Sequence, residues 1–209
     1  MFDQNSPAQI RTEPVQQRSA ERITLLLDAA AALIAESGID GLTTSDVAAK
    51  SESSVGVVYR YFPNIQSLLR ALAGRNLQRY TERLFERVDG VDDWRAAFDL
   101  AIDVYIELNH TEPGFRAVRF GDVIDERVLQ PEFDNNGVLA RAFAGILVER
   151  YGFEFSEDLV FELEVLVAIA DALLHRAFLV NKDGDPRFIE ATRRIVHEQA
   201  AKTTALGGT

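Results

Sequence analysis

The 209-residue chain contains no cysteine, which excludes a disulfide framework and a thiolate metal site and leaves the redox compartment open. It also lacks long hydrophobic runs. Its longest, at 29–35 and 165–170, are far too short to cross a bilayer. The first fourteen residues, MFDQNSPAQIRTEP, have no basic segment followed by an apolar one, so a secretory leader is not expected. These absences predict a soluble, cytoplasmic protein. No stretch alternates apolar and polar residues long enough to read as a strand, and no internal repeat is visible. No Gly-rich phosphate loop, Gly-x-Ser-x-Gly elbow or His-Glu-x-x-His motif occurs. Glu107-Leu-Asn-His110 has the Glu-x-x-His spacing of di-iron bundles, but neither His175 nor His197 has a Glu three residues earlier, and such a site needs a second copy. The expectation is therefore no enzyme, no cofactor and no metal.

Hydrophobic residues make up 47% and charged residues 26% of the chain, enough for a sizeable core and against disorder. The net charge of −11 opposes nucleic-acid binding until its distribution is considered. Residues 1–87 carry ten Lys/Arg and ten Asp/Glu, so the remainder, with twelve basic and twenty-three acidic residues, holds the whole excess. One half can approach phosphates and the other cannot. A neutral segment can bind DNA when its cations and helix amino ends share a face, and such binding is strongly salt-dependent.

The remaining pattern is helical throughout. Residues 1–17 are polar, contain Pro7 and Pro14, and read as a flexible N-terminal arm. A helix is predicted over 18–37, with Ile23, Leu26, Leu27, Ala30, Leu33 and Ile34 at helical spacing and Gly38 as its left-handed cap. Further helices are predicted over 65–88, 92–109, 114–120, 132–151, 156–182 and 186–206, with breaks at Pro113, Pro131, Gly152 and 183–185. Gly74 inside the first of these costs about 1 kcal/mol relative to Ala. It marks either close packing or a bend.

Between Gly38 and Pro63 lies the segment TTSDVAAKSESSVGVVYRYF, residues 43–62. Thr43 and Asp46 stand three residues apart, as in a capping box, and Val47 and Ala48 give the first short helix an apolar inner face. Ser54 opens a second short helix over 55–61. Two helices this short cannot persist alone and must sit on a scaffold. A short helix, a turn and a second helix with an exposed amino end form the helix-turn-helix that reads DNA. Ser54, Val55, Gly56 and Val57 would then open the recognition helix, the valines touching thymine methyls. Gly56 would allow close approach of the backbone, or else tight helix packing. Arg60 points outward for a phosphate or a base, whereas Tyr61 and Phe62 suit the core. Thr43, Thr44 and Ser45 could hold a phosphate at a helix amino end, and Arg18 and Arg22 could grip its neighbour.

The order and spacing of Leu26-Leu27-Asp28-Ala29-Ala30, Leu33 to Gly38, Thr43 to Ala48, Gly56 to Phe62 and Leu68-Leu69 closely resemble the DNA-binding domain of the tetracycline-repressor (TetR) family. PGFRAVRFGDVID (113–125) and ADALLHRAF (170–178) are similar to one branch of it. The resemblance implies an all-α fold: a three-helix head (18–64), joined by the fourth helix to a helical effector-binding and dimerisation domain (65–209). It implies that Tyr59 touches the phosphate backbone. It also implies a homodimer, paired through the predicted helices 156–182 and 186–206, on a palindromic operator in double-stranded DNA. An effector pocket is implied too, for which Phe98, Ile102, Tyr105, Phe115, Phe143, Leu147 and Val167 are candidates by position, with Asp171 or His175 as polar anchors. Two positions depart from the family pattern. Glu52 stands where the turn usually has glycine, so a left-handed residue there is strained or the turn differs. Ile65 stands where a lysine is frequent. The expectation is a transcriptional repressor released by a small apolar or aromatic molecule. The alternative is an all-α adaptor that binds a protein through its C-terminal helices and does not bind DNA.

Overall fold

The computed structural model describes residues 12–118 and 135–207. All regular structure among them is helical: α1 (Thr12–Ser37), α2 (Thr44–Lys50), α3 (Val55–Tyr61), α4 (Ile65–Val88), α5 (Trp94–Thr111), a 3-10 turn (Phe115–Ala117), α6 (Asn135–Tyr151), α7 (Glu157–Val180) and α8 (Pro186–Gly207). The chain divides into two compact units, Met1–Leu68 and Leu69–Thr209.

Most boundaries follow from their caps. Gly38 ends α1 at φ +79°, its amide on the Ile34 carbonyl at 2.9 Å. The Asn64 side chain accepts from the Ser67 amide at 2.8 Å and opens α4; Ser156 does the same for α7 through Leu159 at 3.1 Å. Where the ends differ from expectation, the reason is local. Residues 12–17 are helical rather than part of an arm, because Pro14 falls in the first turn of α1, where no amide is needed. Residues 1–11 lie outside the described residues. Asp93 caps α5 through the Arg95 amide, so that helix starts at Trp94. Of the helix expected at 114–120, only 115–117 is formed, entered through Gly114 at φ +73°; residues 119 and 120, Pro131 and 132–134 lie outside the described residues. α7 stops at Val180 because Asn181 turns out and donates to the Gly184 carbonyl at 3.1 Å.

In the first unit, Leu26 and Ala30 of α1 are fully buried and Ile34 nearly so, one helical turn apart. Val47 and Ala48 of α2 and Val58 of α3 complete that core. In the second unit the core is built from α4 to α8, with Phe178, Leu84, Leu108, Val88 and Val104 at its centre. Arg83 and Arg87 of α4 both donate to Glu107 of α5, at 2.9 and 2.7 Å, and Arg79 pairs with Glu112. His110 packs edge-on against Phe178 at 5.5 Å. Glu107 and His110, spaced like a metal motif, are thus an arginine clamp and a core contact. Among the described residues no cluster of His, Cys, Asp or Glu could hold a metal ion, and no helix is long and apolar enough to cross a membrane.

Gly74 does not mark close packing, since a Cβ built there meets nothing within 4 Å. Gly74→Ala is therefore expected to raise stability by about 0.5–1 kcal/mol through helix propensity alone, read as a higher urea midpoint at unchanged slope. A lower midpoint would mean that something packs on this position.

Candidate nucleic-acid interface and effector cavity

α2 begins with a complete capping box: Thr43 Oγ1 accepts from the Asp46 amide, and the Asp46 carboxylate accepts from the Thr43 amide, each at 3.2 Å. It ends at Ser51 with two crossed bonds, Ser53 N–H to the Ala48 carbonyl at 2.9 Å and Glu52 N–H to the Ala49 carbonyl at 3.3 Å. That pair is the Schellman closure, which needs a left-handed residue. Glu52 supplies it at φ +51°, the only non-glycine residue with positive φ among those described. The turn keeps its usual geometry and carries the strain. Ser53 accepts a hydrogen bond from the Arg22 guanidinium of α1 at 3.3 Å, so the strained turn is braced from below.

Ser54 then caps α3 by accepting from the Val57 amide at 3.3 Å. Val58 is fully buried and Phe62 is 6% exposed, while Tyr61 is half-buried. The outward face is Val55, Gly56, Tyr59 and Arg60, all exposed, Tyr59 by 51%. A Cβ on Gly56 would meet only Ser54 Oγ at 3.9 Å; of the two uses weighed for this glycine, helix packing is not the one found. Thr44 Oγ1 donates to the Tyr59 hydroxyl at 3.2 Å, which brings the amino end of α2 onto the same surface. Thr43 and Ser45 are exposed beside it. Val57 is half-buried, and its amide is taken up by the Ser54 hydroxyl and carbonyl. Arg18 is exposed. Arg22 is half-buried and directed at the turn, which was not expected of it. Ile65, in place of a cation, is half-buried at the start of α4.

The second unit holds a small, largely apolar cavity of about 60 Å³. Of the expected residues, Phe98, Ile102, Tyr105, Phe143, Val167 and Asp171 line it. Phe115, Leu147 and His175 do not. Phe115 packs edge-on behind Tyr105 at 5.5 Å, Leu147 borders a smaller gap with Trp94 and Phe153, and His175 is half-exposed a turn beyond Asp171. Tyr80 of α4 is on the wall and was missed, because α4 was read only as the connecting helix; its position on the same stripe as Leu69, Leu72 and Leu84 was the available signal. Tyr80 donates to the Ala101 carbonyl at 3.1 Å, and burial raises its phenol well above the ordinary value, so the proton stays on. Phe98 and Phe143 stack at 5.6 Å, 16° from parallel.

Comparison with known proteins matches both units. Residues 26–72 match the family model described as bacterial regulatory proteins, tetR family, and residues 92–202 the one described as tetracyclin repressor-like, C-terminal domain. A TetR-family transcriptional regulator from Streptomyces coelicolor is 34% identical, with a TM-score of 0.73 over 87% of this chain and 98% of that one. An uncharacterised HTH-type transcriptional regulator of Bacillus subtilis (strain 168), YvdT, is 31% identical over 78 residues, 37% of this chain and 40% of that protein's length. RolR in complex with resorcinol shares the fold at 21% identity, with a TM-score of 0.61 over 90% of this chain and 93% of that one.

The strain at Glu52 has a measurable consequence. A left-handed non-glycine residue costs about 1–2 kcal/mol, offset by the about 0.4–1 kcal/mol that glycine adds to the disorder of the unfolded chain. Glu52→Gly is expected to stabilise the head by about 0.5–1 kcal/mol, read by thermal unfolding followed by circular dichroism; a lower midpoint would show that the Glu52 side chain stabilises the turn.

Proposed function

The chain belongs to the TetR family of bacterial transcriptional regulators, whose members are non-enzymatic DNA-binding proteins with a helix-turn-helix, and from that premise we propose that it is a homodimeric repressor released from a palindromic operator by a small aromatic or apolar effector. The observation that carries the DNA side is the exposed face of α3, where Val55, Gly56, Tyr59 and Arg60 stand clear while Val58 and Phe62 hold the helix down. Tyr59, whose oxygen accepts from Thr44, keeps its own proton for the phosphate backbone, Arg60 offers charge, and Gly56 with Val55 allows close approach to thymine methyls. Thr43, Ser45 and Ser54 extend the same surface, with Arg18 at its edge. Arg22 acts on DNA through the turn it braces. Membership in this family sets aside the adaptor reading.

Dimerisation is supported by α7, where Phe161 and Leu179 are 61% and 60% exposed and Ala168 and Ala172 lie on the same stripe. Pairing through α7 and α8 would cover this stripe, and two-fold symmetry would place the recognition helices about 34 Å apart, one turn of a palindrome. Release follows if the effector binds better to the state in which that spacing is lost. The apolar cavity, with its stacked phenylalanines, supports an aromatic effector, and the resorcinol complex of RolR is a fold relative holding one.

Selection from random double-stranded DNA, at stated salt, is expected to enrich a palindrome. Tyr59→Phe should weaken its binding about 5- to 150-fold, the loss of one hydrogen bond in each of two subunits. Arg60→Ala should weaken it and flatten the slope of log K against log salt by about one per subunit, with circular dichroism unchanged. No enrichment, or unchanged binding in both variants, would sink the assignment of α3.

A further inference from the structure

Asn76 of α4 is fully buried, and neither end of its amide, Oδ1 or Nδ2, has a hydrogen-bond partner. Thr192, equally buried, has the usual arrangement: its hydroxyl donates to the Phe188 carbonyl at 2.8 Å. A buried donor or acceptor left unmet costs its full desolvation, and most buried polar side-chain atoms are paired. Packing does not ask for an amide here. Leu72, Ala73, Leu77 and Tyr80, the α4 residues around it, are all buried, and an apolar side chain of similar size would fill the position with nothing unmet. The amide therefore calls for a partner from outside the chain.

Its place in the unit indicates where that partner enters. Residues 72, 76 and 80 follow one another by single turns on one face of α4, and Tyr80 is part of the cavity wall. Arg83 bonds to Glu107 and Arg79 to Glu112, so α4 and α5 run antiparallel. Continuing that register brings Asn76 level with the turn that follows α5. Phe115 of that turn packs edge-on against Tyr105, another wall residue. Asn76 thus lies just past the end of the cavity marked by Tyr80 and Tyr105. At about 60 Å³ the cavity is too small for a ring, since an apolar site that takes benzene holds about 150 Å³. An aromatic ligand must enlarge it, and toward Asn76 the enlargement meets unpaired polar atoms.

Resting on the reading of this cavity as the effector site, we propose that Asn76 is its polar anchor and that the ligand is an aromatic molecule carrying a carboxamide, lactam or imide group. The ligand class follows from the amide itself. Its carbonyl accepts and its NH2 donates, side by side in one plane. A group that satisfies both must therefore donate and accept from neighbouring atoms, as a carboxamide does. A ketone or a carboxylate satisfies the NH2 alone, and an alkyl group satisfies neither. With the ligand in place Asn76 makes two bonds; without it, the unmet amide destabilises the empty protein.

The test uses three probes of one ring size with the full-length protein near pH 7: benzamide, acetophenone and toluene. Binding is followed through the fluorescence of Trp94, the one tryptophan of the chain, which packs edge-on against the wall residue Phe98 at 6.0 Å. Benzamide is expected to bind at least about tenfold more tightly than acetophenone or toluene, a factor readily resolved. Asn76→Leu is expected to bring benzamide level with acetophenone and to raise the urea midpoint of the empty protein at unchanged slope. Benzamide binding no more tightly than acetophenone, or an advantage that survives Asn76→Leu, overturns the proposal while leaving the cavity reading in place. A lower midpoint in Asn76→Leu means that the amide is already bonded in the empty protein, and overturns it as well. Because the wild-type series needs no variant, a poorly folded Asn76→Leu protein does not rescue the idea. Failure of all three probes to bind overturns the cavity reading and the proposal with it.

Discussion

A helix of seven residues is too short to hold itself in water, and both helices of the DNA-reading pair are seven residues long. Each exists because one or two of its side chains are buried. α2 is held by Val47 and Ala48, and α3 by Val58 with Phe62 just past its end, against the stripe of Leu26, Ala30 and Ile34 on α1. Burial of one Val or Leu contributes about 1.5–3 kcal/mol, so a few such contacts decide whether the pair forms. Caps at Thr43 and Ser54 supply the remaining local order. Of the outward positions, the two caps and the Thr44 to Tyr59 bond take part.

The turn between them is where the design is under tension. Schellman closure demands a left-handed residue, and the chain places a glutamate there. The closure wins because two backbone bonds and the Arg22 to Ser53 contact act in the same direction. This also changes the role of Arg22. A guanidinium directed at the turn holds Ser53, the neighbour of the residue that caps α3. Glu52, exposed on the same turn, adds a negative charge near the surface that must approach phosphate. Net zero charge in the amino-terminal segment leaves little long-range attraction to offset it.

Much of this was legible in the sequence because it rests on local chemistry. Gly38, Thr43, Ser54 and Asn64 each announce a helix end through their own backbone or side chain, and the expected start and end of α4 at 65 and 88 match those found. Glu52 was legible as a conflict, but not its outcome, which depends on bonds accepted by the Ala48 and Ala49 carbonyls. A proline reads as a breaker unless its place in the first turn is known, so the sequence pattern puts the start of α1 later than Thr12. The cavity was legible in part. Phe98, Ile102 and Tyr105 share one face of α5, so three guesses succeed together. Phe115 and Leu147 are just as apolar and equally buried, but they lie behind the wall, and composition cannot tell the front of a core side chain from its back. Tyr80 sits on a helix whose evident purpose is connection, and that hid its second use.

The division of labour within α3 bears on how such a protein can change. Folding uses Val58 and Phe62, whereas Val55, Gly56, Tyr59 and Arg60 contribute exposed surface and little burial. Substitutions at those four positions therefore act on recognition with small effects on stability, since surface changes away from caps and cores are usually within about 0.5 kcal/mol. The cavity lacks this freedom. Its lining residues are also the core of the second unit, so Phe98 or Phe143 cannot be altered for a new ligand without creating a void or a clash worth about 1–5 kcal/mol. Specificity for DNA can drift on α3 at little energetic cost. Any specificity of the cavity is tied to the packing of the whole unit.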